Sequence, residues 1–109
     1  MTAKIWNLND WITECDPAVL TATFDAMIRE AGFTVLQEVE HYFQPQGYTK
    51  LYLLCESHFA IHTFPEENKT YIELSSCNKA MQFKFVKLFT QYKNGGQANG
   101  KSGKAEKGN

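Results

Sequence analysis

Cysteine and long apolar runs are both scarce in this sequence, and each shortage limits what it can encode. Only three cysteines occur in 109 residues, and no two form a Cys-x-x-Cys pair. That pattern argues against a disulfide framework or a zinc knuckle and favours free thiols in a reducing compartment. No apolar run approaches the roughly 20 residues that span a bilayer, and residues 1–20 lack a secretory leader pattern. We therefore expect a cytoplasmic protein.

Net charge is also low, and it is unevenly distributed. The formal charge is −1, yet four lysines and one glutamate from Lys93 onward leave −4 on residues 1–92. An acidic body argues against a nucleic-acid partner, because such partners require a basic face. Five of the seven glycines lie in the tail, which has no large apolar residue. We expect one domain at 1–92 and a disordered tail at 93–109.

Aromatic and apolar residues are plentiful, at 14% and 43%, and they occur in short patterned segments. Alternating or β-branched segments predict strands at 4–12, 34–43, 48–55, 59–64 and 70–75. Helical spacing predicts one helix from Pro17, capped by Asp16 and ended by Gly32, and a second at 81–92. The predicted fold is α+β: a two-layer sandwich whose mainly antiparallel sheet carries two helices on one face.

The residues with catalytic potential are concentrated at 55–66. The segment reads Cys-Glu-Ser-His-Phe-Ala-Ile-His-Thr-Phe-Pro-Glu and holds two of the three histidines. We expect Ser57 in the tight connection between two strands and His62 in the strand that follows. Cys77 ends the next strand. If these strands are neighbours, their ends bring Ser57, His62 and Cys77 together.

Generic catalytic patterns fit this segment poorly. A serine near a histidine suggests a hydrolytic triad, but the Gly-x-Ser-x-Gly elbow is absent. His58 and His62 would share one face of a strand yet stand about 13 Å apart, too far for one metal ion. We therefore expect no metal site. On their own, the histidines would be structural hydrogen-bonding residues and Cys77 a small buried residue.

The segment 56–66 resembles the central motif of the small bacterial and archaeal S-adenosylmethionine decarboxylases. That motif is Glu-Ser-His, a short apolar alternation, Ile-His-Thr, an aromatic residue and Pro-Glu, and every part is present. Cys77 follows Ser57 by twenty residues, which is the family spacing. Further matches are Phe43, Pro45 and Gly47, the Cys15-Asp16 pair, and the Ala-Gly-x-Thr-Val of 31–35. The similarity extends over about residues 8–89.

The resemblance implies a self-processing enzyme whose cofactor is a pyruvoyl group made from Ser57, without metal or pyridoxal phosphate. Ser57 would attack the carbonyl of Glu56, and Thr49 would stabilise the cyclic intermediate. His62 would then remove the α-proton of residue 57. The chain would be cut between 56 and 57, and the two fragments would stay associated.

The resemblance also implies the decarboxylation step. The pyruvoyl group would condense with the substrate amine to a Schiff base and accept the electrons left when CO₂ departs. Cys77 would act as the acid that protonates the substrate carbon. Phe43 would stack on adenine and Glu66 would bind the ribose hydroxyls. The expected assembly is a homodimer of cleaved protomers.

The chain departs from the family pattern after Cys77. The usual glycine and the Asp/Pro-containing insertion are missing, as is the family's strand after the last helix. Three functions therefore remain open. The first is decarboxylation of S-adenosylmethionine for spermidine synthesis. The second is the same pyruvoyl machinery acting on L-arginine or L-ornithine. The third is a non-catalytic, regulatory paralogue that binds an active partner subunit.

Overall fold

The computed structural model describes residues 3–95, which form five strands and two helices. In chain order these are β1 (Trp6–Ile12), α1 (Pro17–Glu30), β2 (Val35–Tyr42), β3 (Tyr48–Leu54), β4 (Ser57–Phe64), β5 (Lys69–Ser76) and α2 (Lys79–Asn94). The strand order is β1-β5-β4-β3-β2, and each neighbouring pair is antiparallel. The predicted α+β fold with an antiparallel sheet and two helices is confirmed.

Strand alternation gives the sheet two different faces. The inner face is covered by the helices and holds the core, where Phe59, Ile61, Ile72 and Leu74 are at most 1% exposed. The outer face carries the alternate residues of each strand. One of them, Leu53 of β3, is 50% exposed. Because successive side chains in a strand point to opposite faces, the position of a residue in its strand decides which environment it occupies.

Both helices begin at a side-chain cap. The Asp16 carboxylate accepts a hydrogen bond from the Val19 N–H at 3.3 Å, and Pro17 follows it, so the predicted start of α1 is confirmed. Asn78 caps α2 in the same way, through the Met81 N–H at 2.9 Å. The apolar positions that face the core are Leu20, Phe24, Met27 and Ile28 of α1 and Phe85 and Phe89 of α2.

Helix α2 is longer than the sequence predicted. It continues through Asn94, so Lys93 and Asn94 are helical although they were expected to belong to the tail. The Lys93 ammonium also forms an ion pair with the Asp10 carboxylate at 2.8 Å, which ties the end of α2 to β1. The rest of the predicted tail, 96–109, lies outside the described residues. Between residues 3 and 95, neither helix is long and apolar enough to cross a membrane.

The connection between β3 and β4 is a two-residue turn. Leu54 pairs with Ser57, so only Cys55 and Glu56 lie between the strands. Ser57 is therefore the first residue of β4, not part of the turn as the sequence analysis expected. Ser57 and His58 already pair with β5. For this reason β4 begins two residues before the predicted start at Phe59.

Candidate active site

Ser57 lies at the end of the sheet with its hydroxyl on the inner face. Its side chain is largely buried, and the residue is 8% exposed. The hydroxyl donates to the Oγ of Ser76 at 2.7 Å, and Ser76 is also the residue that faces Ser57 across the β4–β5 ladder. The sequence did not single out Ser76, because only the strand register reveals this contact.

Cys77 follows β5 directly and contacts the peptide bond expected to be cut. Its Sγ donates to the backbone carbonyl oxygen of Glu56 at 3.4 Å. The structure thus brings Glu56, Ser57 and Cys77 together, as the sequence predicted for the serine and the cysteine. We call Glu56, Ser57 and Cys77 the serine end.

Glu56 has a strained backbone at the serine end. Its φ is 65°, in the left-handed region that side-chain-bearing residues rarely occupy. For an L-residue this conformation costs about 1–2 kcal/mol. The strain therefore lies in the residue that supplies the carbonyl of the Glu56–Ser57 bond, and it persists because the turn between β3 and β4 is so short.

His62 lies on the outer face near the opposite end of β4. Its Nδ1 lies 3.0 Å from the Thr49 Oγ1, and its ring stacks against Tyr71 with centroids 6.3 Å apart. A separation of five residues in a regular strand corresponds to about 16 Å. The odd separation also places Ser57 and His62 on opposite faces.

The prediction that strand ends bring His62 to Ser57 and Cys77 is therefore wrong within one chain. The strands are neighbours, as assumed, but β4 keeps one continuous register with both β3 and β5. Without a change of register, nothing folds His62 back towards the start of its own strand.

Phe43 and Glu66 lie at the same end of the sheet as His62. Phe43 packs edge-to-face on His41 with ring centroids 4.5 Å apart. Glu66 follows β4 in a short 3₁₀ turn, where its Oε1 accepts a hydrogen bond from the Gln46 amide at 3.5 Å. We call Phe43, Thr49, His62 and Glu66 the histidine end.

A cavity of about 270 Å³ lies beside Phe43. Its lining residues include Cys15, Tyr42, Phe43, Pro45, Gly47 and Tyr48. Gly47 has a φ of 114°, which a residue with a side chain would adopt only under strain. The chain turns at this glycine, and the Phe43 side chain packs beside it. Burial and a hydrogen bond to Glu40 raise the pKa of Tyr48 to about 12, so its hydroxyl stays protonated at neutral pH.

Aromatic rings surround His62 on the outer face, and sequence reasoning did not identify them as a group. Trp11 lies 5.2 Å from Tyr71 and 5.7 Å from Phe64, measured between ring centroids. The Lys69 ammonium lies 4.4 Å from the Trp11 ring centroid. The only signal in the sequence is the position of each ring in its strand, and it becomes informative once β1, β5 and β4 are known to be adjacent. We call Trp11, His62, Phe64 and Tyr71 the aromatic platform.

Comparison with known sequences points to one family. The sequence profile described as S-adenosylmethionine decarboxylase matches residues 5–100. The S-adenosylmethionine decarboxylase proenzyme of Parasynechococcus marenigrum (strain WH8102) is 40% identical over 70 residues, covering 59% of this chain and 55% of that protein. The proenzyme of the same name from Prochlorococcus marinus (strain MIT 9313) is 42% identical over 62 residues, covering 57% and 50%. The chain thus spans about half the length of these curated relatives.

Comparison with solved structures agrees at the level of the fold. The crystal structure of the adenosylmethionine decarboxylase from Aquifex aeolicus VF5 matches with a TM-score of 0.68 at 17% identity, covering 84% of this chain and 81% of that one. The family assignment rests on the profile match, which extends over residues 5–100. The chain belongs to the S-adenosylmethionine decarboxylase family.

Proposed function

We propose that this protein is a self-processing, pyruvoyl-dependent decarboxylase of S-adenosylmethionine that acts in the cytoplasm and supplies spermidine biosynthesis. The observation that carries the proposal is the serine end, where Ser57, the Glu56 carbonyl and the Cys77 thiol meet. The name proenzyme, which the curated relatives carry, supports a chain that matures by processing. The site fits a cofactor made from Ser57, because the Cys77 thiol donates to the carbonyl oxygen of the bond to be cut.

The first step is an acyl shift from nitrogen to oxygen. The Oγ of Ser57 forms a bond to the carbonyl carbon of Glu56, the hydroxyl proton passes to the amide nitrogen, and the C–N bond breaks. The products are an ester and a free amine. The Cys77 thiol donates to the carbonyl oxygen, so it stabilises the negative charge that develops there.

The second step cuts the chain. A base removes the α-proton of residue 57, the bond between Cβ and Oγ breaks, and Glu56 leaves as a carboxylate. Water then replaces the nitrogen, which departs as ammonia, and a pyruvoyl group remains on the second fragment. Once formed, that group supplies a carbonyl that accepts the electron pair released with CO₂. We assign the base to His62 and the later protonation of the substrate carbon to Cys77.

His62 can serve as this base only if it comes from a second copy of the chain. Within one chain it lies about 16 Å from Ser57 along β4. A homodimer with antiparallel sheets would set the histidine end of each copy beside the serine end of the other. This arrangement gives two equivalent sites, as a two-fold axis requires.

The outer face of the sheet has the properties of such an interface. Val39 and Leu53 are 61% and 50% exposed, and they line a cavity of about 320 Å³ beside His58. The outer side chains of β2, β3 and β4 are all uncharged types when histidine is neutral. A neutral apolar face can meet its own copy without repulsion between like charges.

The Phe43 ring, which is 49% exposed, favours S-adenosylmethionine over the other substrates. A purine can stack on an exposed ring, and neither L-arginine nor L-ornithine carries an aromatic ring that could do so. We assign Phe43 to the adenine and the Glu66 carboxylate to the ribose hydroxyls. L-arginine or L-ornithine remains the alternative substrate for the same machinery, and a non-catalytic regulatory subunit is the alternative if no cleavage occurs.

The intact masses of the purified chain under denaturing conditions test this function. We expect one fragment ending at Glu56 and a second that is one ammonia lighter than a peptide beginning with serine. Ser57→Ala should give one uncut chain. CO₂ release from labelled S-adenosylmethionine, compared with arginine and ornithine, then identifies the substrate. An uncut wild-type chain would contradict the proposal of a self-processing enzyme and favour the proposal of a regulatory subunit.

A further inference from the structure

We propose that Ser76 is a positioning residue for self-cleavage, holding the Ser57 hydroxyl in place for its attack on the Glu56 carbonyl. The inference rests on the proposed function, because it concerns how Ser57 is prepared for that reaction. It extends the function by giving a role to a residue that lies outside the motif on which the resemblance depends.

The contact between the two serines is short and buried. Ser57 Oγ donates to Ser76 Oγ at 2.7 Å, and Ser76 is only 1% exposed. A serine hydroxyl has three staggered positions available to it. Because the site is largely closed to water, the Ser76 oxygen is the partner that selects one of these positions for Ser57.

Ser76 is itself fixed by the start of α2. The backbone N–H of Asn78 donates to the Ser76 Oγ at 2.9 Å, and the Ser76 hydroxyl faces the Asn78 carbonyl at 3.5 Å. The Asn78 side chain in turn caps the helix through the Met81 N–H. With these neighbours, Ser76 has an acceptor for its own proton and a lone pair left for Ser57.

This hydrogen bond matters for reactivity because of its direction. When the Ser57 hydroxyl donates a hydrogen bond to Ser76, the lone pairs of Ser57 Oγ are left free to approach the Glu56 carbonyl carbon. The hydrogen bond also draws electron density towards the Ser57 oxygen. Ser76 does not touch the reacting carbonyl, and its effect passes entirely through Ser57.

The role ends once the chain has been cut. The pyruvoyl group made from residue 57 has no hydroxyl, so Ser76 then has nothing to orient. Removing the Ser76 hydroxyl should therefore slow cleavage and leave decarboxylation by each cut chain unchanged. A residue needed only for folding would affect both steps.

The test follows cleavage of freshly made chain in a cell-free translation reaction, by gel, against time. We expect Ser76→Ala to slow cleavage by about tenfold or more, from the loss of one hydrogen bond and of the aligned geometry. Ser76→Thr keeps the hydroxyl and should restore most of the rate. Ser75→Ala is the matched control, because that neighbouring hydroxyl lies on the outer face and bonds to Asn7 instead.

Two further measurements separate this inference from its alternatives. In a Ser57→Ala background, Ser76→Ala should unfold within a few degrees of its parent, which verifies that the fold is kept. CO₂ release per mole of cut chain should match the wild type. Cleavage of Ser76→Ala at the wild-type rate would overturn the inference while leaving the proposed function intact. A wild-type chain that never cleaves would overturn the proposed function, and the inference with it.

Discussion

At the scale of single residues, the candidate chemistry depends on groups that are close in space but not all visible in the sequence. The motif indicated Ser57 and Cys77, and the structure brings the Cys77 thiol to the carbonyl of Glu56, the residue bonded to Ser57. The sequence did not indicate Ser76, because a hydrogen bond across two strands depends on their register. It did not indicate the left-handed φ of Glu56 either, since glutamate is not a residue that favours that region.

Replacing Glu56 by glycine tests whether its backbone is strained. Glycine adopts a φ of 65° without penalty, so in an uncut Ser57→Ala background we expect Glu56→Gly to raise the free energy of unfolding by about 1 kcal/mol. Urea denaturation measures this change. Glu30→Gly is the matched control: it removes the same side chain from the last residue of α1, where glycine should be destabilising. Equal losses of stability in both variants would show that Glu56 is unstrained.

At the scale of elements, sequence patterns predicted every helix and strand but not how β4 connects the site residues. Hydrophobic alternation sets which face each residue takes, and cap residues set where the helices start. Strand order depends on contacts between distant segments, which local patterns do not encode. Ser57 was assigned to a turn. Once the structure places it in β4, its odd spacing from His62 puts the two residues on opposite faces.

The buried hydroxyl of Tyr52 makes the stability of the fold depend on pH at alkaline values. Within residues 3–95 this hydroxyl has no hydrogen-bond partner, and burial raises the pKa of Tyr52 to about 12. Below pH 10 the tyrosine is neutral in both the folded and the unfolded chain. Between pH 10 and 12 the unfolded chain ionises first, so the stability contributed by neutral Tyr52 is lost as the pH rises through the folded pKa.

We therefore expect Tyr52→Phe to remove part of the alkaline loss of stability. Two pKa units correspond to about 2–3 kcal/mol, so the decline between pH 10 and 12 should be smaller by roughly that amount. At pH 8 the variant should be at least as stable as its parent, because it deletes an unpaired buried polar group. Urea denaturation in an uncut Ser57→Ala background measures both. An unchanged slope above pH 10 would show that Tyr52 ionises freely in the folded chain.

At the scale of the whole molecule, the candidate site is divided between two ends of one sheet. In the proposed function, the serine end supplies the bond to be cut and the acid, whereas the histidine end supplies the base, the stacking ring and the carboxylate. The motif predicts these residue types as a set, but a motif carries no information about which copy of a chain contributes each member. The homodimer expected from the resemblance becomes a requirement of the proposed chemistry once the separation along β4 is known.

Mixed dimers test that requirement directly. We expect Ser57→Ala and His62→Ala each to remain uncut alone, because every site lacks either the nucleophile or the base. When the two are co-expressed, a mixed dimer holds one complete site, made of Ser57 from the His62→Ala chain and His62 from the Ser57→Ala chain. Cleavage should therefore return, and intact mass should show that only the His62→Ala chain is cut. The matched control replaces Ser57→Ala by the double variant Ser57→Ala/His62→Ala, which supplies no histidine and should restore nothing. Two outcomes would contradict this prediction. If His62→Ala cleaves by itself, His62 is not the base.

If co-expression restores no cleavage although tagged copies of the two variants co-purify, the site is completed within one chain. In that case β4 must change register to bring His62 to Ser57.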